Sequence, residues 1–374
     1  MINKKLTKKC FTLLSFSMIF SMANTISANE IKLKADNDYL VTSSRPGNIL
    51  VVDLKTNEVV NNCKTDEKYN HGVLLSPDYK TAFILGNGWE EIGGYNIETC
   101  KKVFHTNLSA GNIKGKSTDG LAISSDGKEL YATYNRVELG SDRYTVKDPY
   151  LSVYNISDGL NAKPIKNITM PRQMCTISAA DNGKIYGTGA HFYEIDPKAG
   201  TVEIAKKMRD WDRPGYSNPD FFSPFITGQT TKEYSILHSV FKFKDEKQNM
   251  DEATPYVGIT TIDLTDGKIT QSEFTIFETI MFTAMHNPKD KNILYGVLND
   301  LSMFDLKNKK LLKRVPVDHT YYNVAVSPDG EKVYTGSTLN DISIYDAKTL
   351  DKLGNIQLPE GDMGGGSLQI FHNI

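Results

Sequence analysis

A chain of 374 residues with 19 Tyr, 16 Phe and a formal net charge of −2 has apolar and aromatic material for a large β-rich core. Setting aside four amino-terminal lysines (Lys4, Lys5, Lys8, Lys9) leaves a net charge near −6. That balance gives no electrostatic reason to expect nucleic acid or anionic lipid as a partner.

The amino terminus opens on those lysines, runs apolar from Phe11 to about Met22, and ends in small residues through Ala28. This order predicts a secretory signal peptide over 1–28 and a periplasmic location. The apolar run falls short of the ~20 residues a membrane span needs, and no later stretch is apolar enough, so no membrane span is expected. Residues 29–374 are expected to form one domain. Cys63, Cys100 and Cys175 remain after cleavage, an odd number that cannot pair completely. Whether Cys63 pairs with Cys100 stays open at this level. There is no C-x-x-C-H for haem attachment and no C-x-x-C pair for zinc.

One unit then repeats along the chain: a β-rich segment, an Asp or Asn, a polar turn, and another strand. Its copies centre on Asp53, Asn96, Asn155, Asp196, Asp263, Asp305 and Asp346, at spacings of 43, 59, 41, 67, 42 and 41 residues. A period of ~40–45 residues matches one four-stranded propeller blade. The short Asp/Asn side chain can accept backbone N–H groups of the following turn. Upstream lie hairpin turns such as Ser76-Pro77-Asp78, Ser125-Asp126-Gly127-Lys128 and Ser327-Pro328-Asp329-Gly330. The expected fold is an all-β, seven-bladed β-propeller of four-stranded antiparallel blades, strands A to D from the axis outward. The first unit lacks its strand A, and Ser367–Phe371 is a strand left over at the carboxyl end. It is expected to complete the first blade and close the ring.

The long spacings come from extra residues at about 135–149 in the third blade and 242–255 in the fifth, both between strands B and C. Residues 208–219 lengthen the approach to the fifth blade. B–C and D–A connections share one face of a propeller, so that face is the expected working surface. No nucleotide-binding, hydrolase-elbow or zincin motif occurs, and the seven histidines show no metal-ligand spacing. Candidate residues for the channel mouth are Arg45 in the first B–C loop, Arg172 and Gln173 before the fourth blade, Phe282 at the sixth, and Tyr321 and Tyr322 at the seventh. The competing reading of Tyr321 and Tyr322 is that, adjacent in a strand, they split between core and surface.

Several segments resemble a known family. Arg45-Pro46-Gly47-Asn48-Ile49-Leu50-Val51-Val52-Asp53, Pro171-Arg172-Gln173-Met174, Gly183-Lys184-Ile185-Tyr186-Gly187 and Tyr193–Thr201 look like parts of the β subunit of quinohemoprotein amine dehydrogenase. So do Arg314–Tyr322 and Tyr345–Leu350, and the similarity runs in register from about Tyr39 onward. The Pro-Arg-Gln and His-Thr-Tyr-Tyr stretches set it apart from generic blade signatures. The resemblance implies a non-catalytic scaffold subunit of a periplasmic heterotrimer that oxidises primary amines to aldehydes and ammonia. The cysteine tryptophylquinone would sit on a small γ subunit and the c-type haems on a dihaem cytochrome c α subunit, with none in this chain. Arg45, Arg172, Gln173, Phe282, Tyr321 and Tyr322 would then dock partners or wall the cavity. A lactonase-type propeller enzyme or a stand-alone envelope binding propeller are the alternatives.

Overall fold

The repeat folds as its spacing predicts. The computed structural model describes residues 30–222 and 232–374, so the segment read as a signal peptide lies outside the described residues. Seven antiparallel sheets make up the described chain. Blade 2 runs His71–Leu75, Thr81–Gly86, Glu91–Asn96 and Lys102–Asn107 as strands A to D. Blade 3 is Leu121–Ile123, Glu129–Leu139, Tyr144–Asn155 and Lys166–Thr169, and blade 4 is Ile177–Ala179, Ile185–Thr188, Phe192–Asp196 and Thr201–Lys206. Blade 5 is Asp220–Phe222, Glu233–Lys242, Thr254–Asp263 and Ile269–Ile276. Met281–His286, Ile293–Leu298, Asp300–Asp305 and Lys310–Pro316 form blade 6. Asn323–Val326, Lys332–Gly336, Asp341–Asp346 and Lys352–Gln357 form blade 7.

Blade 1 joins both ends of the chain. Its strands B to D are Asn37–Ser44, Asn48–Asp53 and Glu58–Lys64, and its strand A is the carboxyl-terminal Gln369–Asn373. Tyr39 stands opposite Phe371 and Leu40 opposite Ile370. The closing strand starts two residues later than the sequence predicts, because Ser367 is used elsewhere. Its hydroxyl accepts from Val73 N (2.9 Å) and donates to Val73 O (2.7 Å), fastening the closure to blade 2.

The turn chemistry explains why these sequences stop and restart strands. In six copies the Asp or Asn carboxylate or amide oxygen accepts from the turn backbone, as in Asp346 Oδ1 with Lys348 N (2.9 Å) and Thr349 N (2.8 Å). Asn155 is the exception: it makes no such bond and leads into a short 3-10 helix, Ile156–Asn161. In the hairpin turns, Ser76 and Ser327 donate to the Asp two residues on and accept from the strand that follows. In blade 3 Ser124, rather than Ser125, does this. Gly330 sits at φ +76°, and a β-carbon there would lie 2.4 Å from Asn287 Oδ1, so that turn needs glycine.

The core lies between blades. Phe83 and Phe104 of blade 2 pack on Leu130 and Tyr154 of blade 3, and the remaining apolar clusters likewise straddle neighbouring sheets, the largest joining blades 6, 7 and 1. Cys63 on strand D of blade 1 is disulfide-bonded to Cys100 in the C–D turn of blade 2, which ties these two blades together at the rim.

The extra residues of blade 3 are not a loop. Strands B and C continue past the blade as a ribbon, Arg136–Leu139 against Tyr144–Lys147, and Ile113–Lys116 adds a third strand to it. A bulge at Asn135 marks where the ribbon leaves the blade. The alternating Arg136-Val137-Glu138-Leu139 and Tyr144-Thr145-Val146 are good strand formers. Blade 5 instead lengthens strands B and C and joins them through a 3-10 turn at Met250–Glu252.

Candidate functional site: the channel mouth on the long-loop face

Each strand A begins at the face that carries the B–C and D–A connections, so its first residues surround the mouth of the central channel. Two blades depart from regular pairing there. In blade 6 the register slips between Met281 and Thr283, which turns Phe282 out of the ladder. Phe282 meets Tyr322, just ahead of strand A of blade 7, with ring centroids 4.8 Å apart, and Thr283 Oγ1 donates to Tyr322 O (2.9 Å). Both rings are half-buried. In blade 2 the register slips after His71, where Gly72 has φ +63°. His71 Nδ1 lies 2.6 Å from Asp119 Oδ1 at the matching step of blade 3, and the Trp89 ring meets its edge at 5.6 Å.

Cys175 occupies the same step in blade 4, with its Sγ 3.5 Å from Thr118 O. Burial, and after it the charge of Asp119, push the Cys175 thiol up to about 11. At neutral pH it stays protonated, unlike a reactive or ligand thiolate. Cys63 and Cys100 are bonded to each other, which leaves Cys175 as the free thiol among the described residues.

The other expected site residues are spread along this face. Arg45 lies in the B–C turn of blade 1, half-exposed, with Nη1 3.5 Å from Asp362 and its guanidinium against Gly364. Arg172 and Gln173 form an exposed turn before blade 4, and Arg172 Nη2 lies 3.9 Å from Asp148. Tyr321 is fully buried, so only Tyr322 of the adjacent pair is presented at the mouth. The Tyr321 hydroxyl donates to Asp341 Oδ2 (2.7 Å) and contacts Ser343 Oγ (2.9 Å). Phe282 and Tyr322 are thus brought together, while Arg45 and Arg172 are held by separate carboxylates. His71, Asp119 and Trp89 were not singled out from sequence. The signal was present: His71-Gly72-Val73 and Asp119-Gly120-Leu121 fall at one step of the repeat.

Three clusters of titratable groups away from the mouth share a different logic. In each, a residue of a D–A connection pairs with strand D of the following blade. Glu67 pairs with Lys102 (2.5 Å), Asp318 with Lys352, and Arg213 with Glu273. The sign of charge reverses in blade 5 while the geometry is kept, so these are clasps between neighbouring blades. Glu67, Glu91 and His105 have ligand atoms within 4.8 Å of one another, a spacing a metal ion could use. The Lys102 ammonium already supplies the positive charge there.

The blade 5 clasp fixes the lengthened segment 208–219. Trp211 Nε1 donates to Ser217 O (2.8 Å), and the Arg213 guanidinium lies 3.7 Å from the Tyr216 ring centre while reaching Glu273 Oε2 (2.8 Å). Burial pushes the Glu273 carboxyl up, but Arg213 and then His238 outweigh it and hold the group well below the usual carboxylate range. A depressed folded-state pKa stabilises above the unfolded value and is lost as pH falls below it. Urea midpoints are therefore expected to drop as pH is lowered from about 5 toward 3, with a share on the order of 1 kcal/mol that Arg213→Met removes. An identical pH slope in that variant would show that the clasp contributes nothing.

At the opposite end of the channel a cavity of about 300 Å³ opens among the A–B turns, lined mainly by Leu74, Leu121, Ile123 and Ile177. Asp181 and Lys232, which are ion-paired at 3.0 Å, stand at its rim.

No protein-family model matches the chain, and no curated protein matches it either. Solved structures do. A protein of unknown function from Desulfotomaculum acetoxidans superposes with a TM-score of 0.56 at 14% identity, over 90% of this chain and 100% of that one. Kuenenia stuttgartiensis hydrazine synthase gives 0.55 at 14%, over 90% and 100%. The dihydro-heme d1 dehydrogenase NirN, solved in complex with DHE, gives 0.54 at 14%, over 92% and 77%. The likeness is one of fold. At this identity the shared propeller carries no substrate, cofactor or partner with it.

Proposed function

We propose that this propeller is the scaffold subunit of a periplasmic amine-oxidising complex of the quinohemoprotein amine dehydrogenase type. In this reading it seats a small quinone-bearing subunit and a dihaem cytochrome c on its long-loop face and helps wall the cavity that takes the primary amine. The cysteine tryptophylquinone and the haems belong to those partners.

The observation that carries the reading is where exposed apolar side chains fall. Among the described residues, most large apolar side chains that are exposed away from the outer strands lie on connections of the long-loop face. They include Tyr69, Trp89, Ile280 and Leu339, from blades 1, 2, 5 and 7. Only Tyr79, Leu160 and Ile165 lie on the short-turn connections. Exposed apolar side chains that favour one face over the other are surface that a protein partner would cover. The Cys63–Cys100 bridge fits an oxidising compartment. No helix among the described residues is long and apolar enough to cross a membrane.

Expression from the native operon with an affinity tag on this chain is the test. The expected result is co-purification of a c-type haem spectrum and a quinone-staining small chain, with amine-dependent dye reduction. Leu339→Asp is expected to release both partners while leaving the propeller folded. Recovery of the chain alone, without haem or quinone, would overturn the reading.

A further inference from the structure

The ribbon of blade 3 has an open edge. Strand D, Lys166–Thr169, pairs only with Tyr150–Val153, whereas strand C runs back along strand B to Tyr144. On the inner side the ribbon is covered by Ile113–Lys116. On the outer side, among the described residues, no strand occupies the D position beside Tyr144–Asp148. This edge lies at the periphery of the long-loop face, pointing away from the axis.

Side chains alternate along it, with Tyr144, Val146 and Asp148 on one side of the sheet and Thr145 and Lys147 on the other. Tyr144 is 76% and Val146 59% exposed. An edge with this composition is a template for another strand. Near its lower end Arg136 donates to Asp148 O (3.3 Å) and Arg172 approaches the Asp148 carboxylate, while Lys147 is drawn inward to Glu138 (2.8 Å).

We infer that two copies of the chain join here. Tyr144–Asp148 of each pairs antiparallel about a two-fold axis at Val146, and each strand fills the other's empty D position. The sequence selects this register. Centred on Val146, the pairing sets Val146 opposite itself, Tyr144 opposite the partner's Asp148 and Thr145 opposite the partner's Lys147, with no like charges facing. Centring on Lys147 or Asp148 places that charge opposite itself, and centring on Thr145 sets Lys147 opposite the partner's Arg143. Like charges directly across a ladder are unfavourable. Centring on Tyr144 runs the pairing into the hairpin turn. The Val146 register also gathers both valines and both Tyr144 rings into one apolar cluster, since residues diagonal across strands are within reach. An isologous contact of this kind closes on itself and stops at two copies.

The inference concerns this chain by itself and does not depend on the amine dehydrogenase reading. Sedimentation equilibrium of the purified full chain, from micromolar to high-micromolar concentration, is expected to show a monomer–dimer equilibrium. Val146→Lys and Val146→Glu each put like charges on the axis and are expected to weaken the dimer about tenfold or more. An equimolar mixture of the two variants restores dimerisation, because opposite charges then meet. Unchanged circular dichroism melts confirm that both variants fold. A wild-type chain that stays monomeric, a Val146→Lys chain that dimerises as the wild type does, or a mixture that fails to recover would each overturn the inference.

Discussion

A chain ending at Gly366 is expected not to fold. The truncation removes Ser367–Ile374, and with them strand A of blade 1. Leu368, Ile370 and Phe371 are all nearly or fully buried, and Phe371 stacks on both Tyr39 (5.7 Å between centroids) and Tyr79 (4.8 Å). Burying three such side chains contributes roughly 5–9 kcal/mol, at about 1.5–3 each. A domain's whole stability is about 5–15 kcal/mol. The loss is wider than those contacts, because Asn37–Val41 then becomes an open edge in the middle of the molecule and blades 7 and 2 lose the innermost strand that stood between them. Hydrogen bonds at the seam go as well: Ser367 with Val73, His372 Nδ1 with Asp38 (2.7 Å), and Asp36 N with Asn373 O (2.7 Å). The expected readout is a non-cooperative thermal melt with rapid proteolysis throughout. Removal of Ile374 alone should be silent, since that residue is fully exposed. A truncated chain that melted cooperatively within a few degrees of the full one would show that the ring does not need its seam.

The features that could be read from sequence are those set by neighbours along the chain. An Asp that bonds the next two or three backbone amides, or a Ser that bonds an Asp two residues on, needs nothing from the rest of the fold, so the blade count and the orphan closing strand were legible. Tyr321 and Tyr322 lie just ahead of strand A, Asn323–Val326, so strand alternation does not decide which of them is buried. What was illegible depends on residues brought together by ring geometry. The bulges that turn Phe282 and His71 toward the mouth add one residue to a strand and leave no mark in a polar–apolar pattern. The clasps pair a D–A residue with a strand D formed a whole blade later, and the charge reversal in blade 5 hides them from any motif. The ribbon of blade 3 stands out in sequence only as surplus length over the repeat, although its residues alternate as strand residues do.

The second large effect is expected at Glu67, the most deeply set of these clasps. Its side chain is completely buried and fills a slot that only glycines leave open: a β-carbon on Gly86 would fall 2.2 Å from Glu67 Cβ, and one on Gly93 would fall 2.6 Å from Glu67 Cδ. Within the slot the Tyr95 hydroxyl donates to Oε2 (2.5 Å) and Lys102 Nζ lies 2.5 Å from Oε1. Burial, followed by the bond to Glu67, pushes the Tyr95 phenol far above its ordinary value, so it remains a donor at any working pH. Glu67→Ala empties the slot, strands that donor and leaves Lys102, whose side chain is only 21% exposed, without its main partner. Breaking a buried pair from one side costs about 3–5 kcal/mol. Gly93→Ala should be damaging for the opposite reason, since overpacking costs about 1–3 kcal/mol. The double variant Glu67→Ala/Gly93→Ala is the discriminating case. The added methyl now points into the space the carboxylate left, so its cost should be less than the sum of the two by on the order of 1 kcal/mol or more. Urea denaturation of the four proteins measures this. Strict additivity, or a Glu67→Ala cost under about 1 kcal/mol, would mean that the carboxylate is a tolerated passenger and that blades 1 and 2 are held by their apolar cluster and the Cys63–Cys100 bridge.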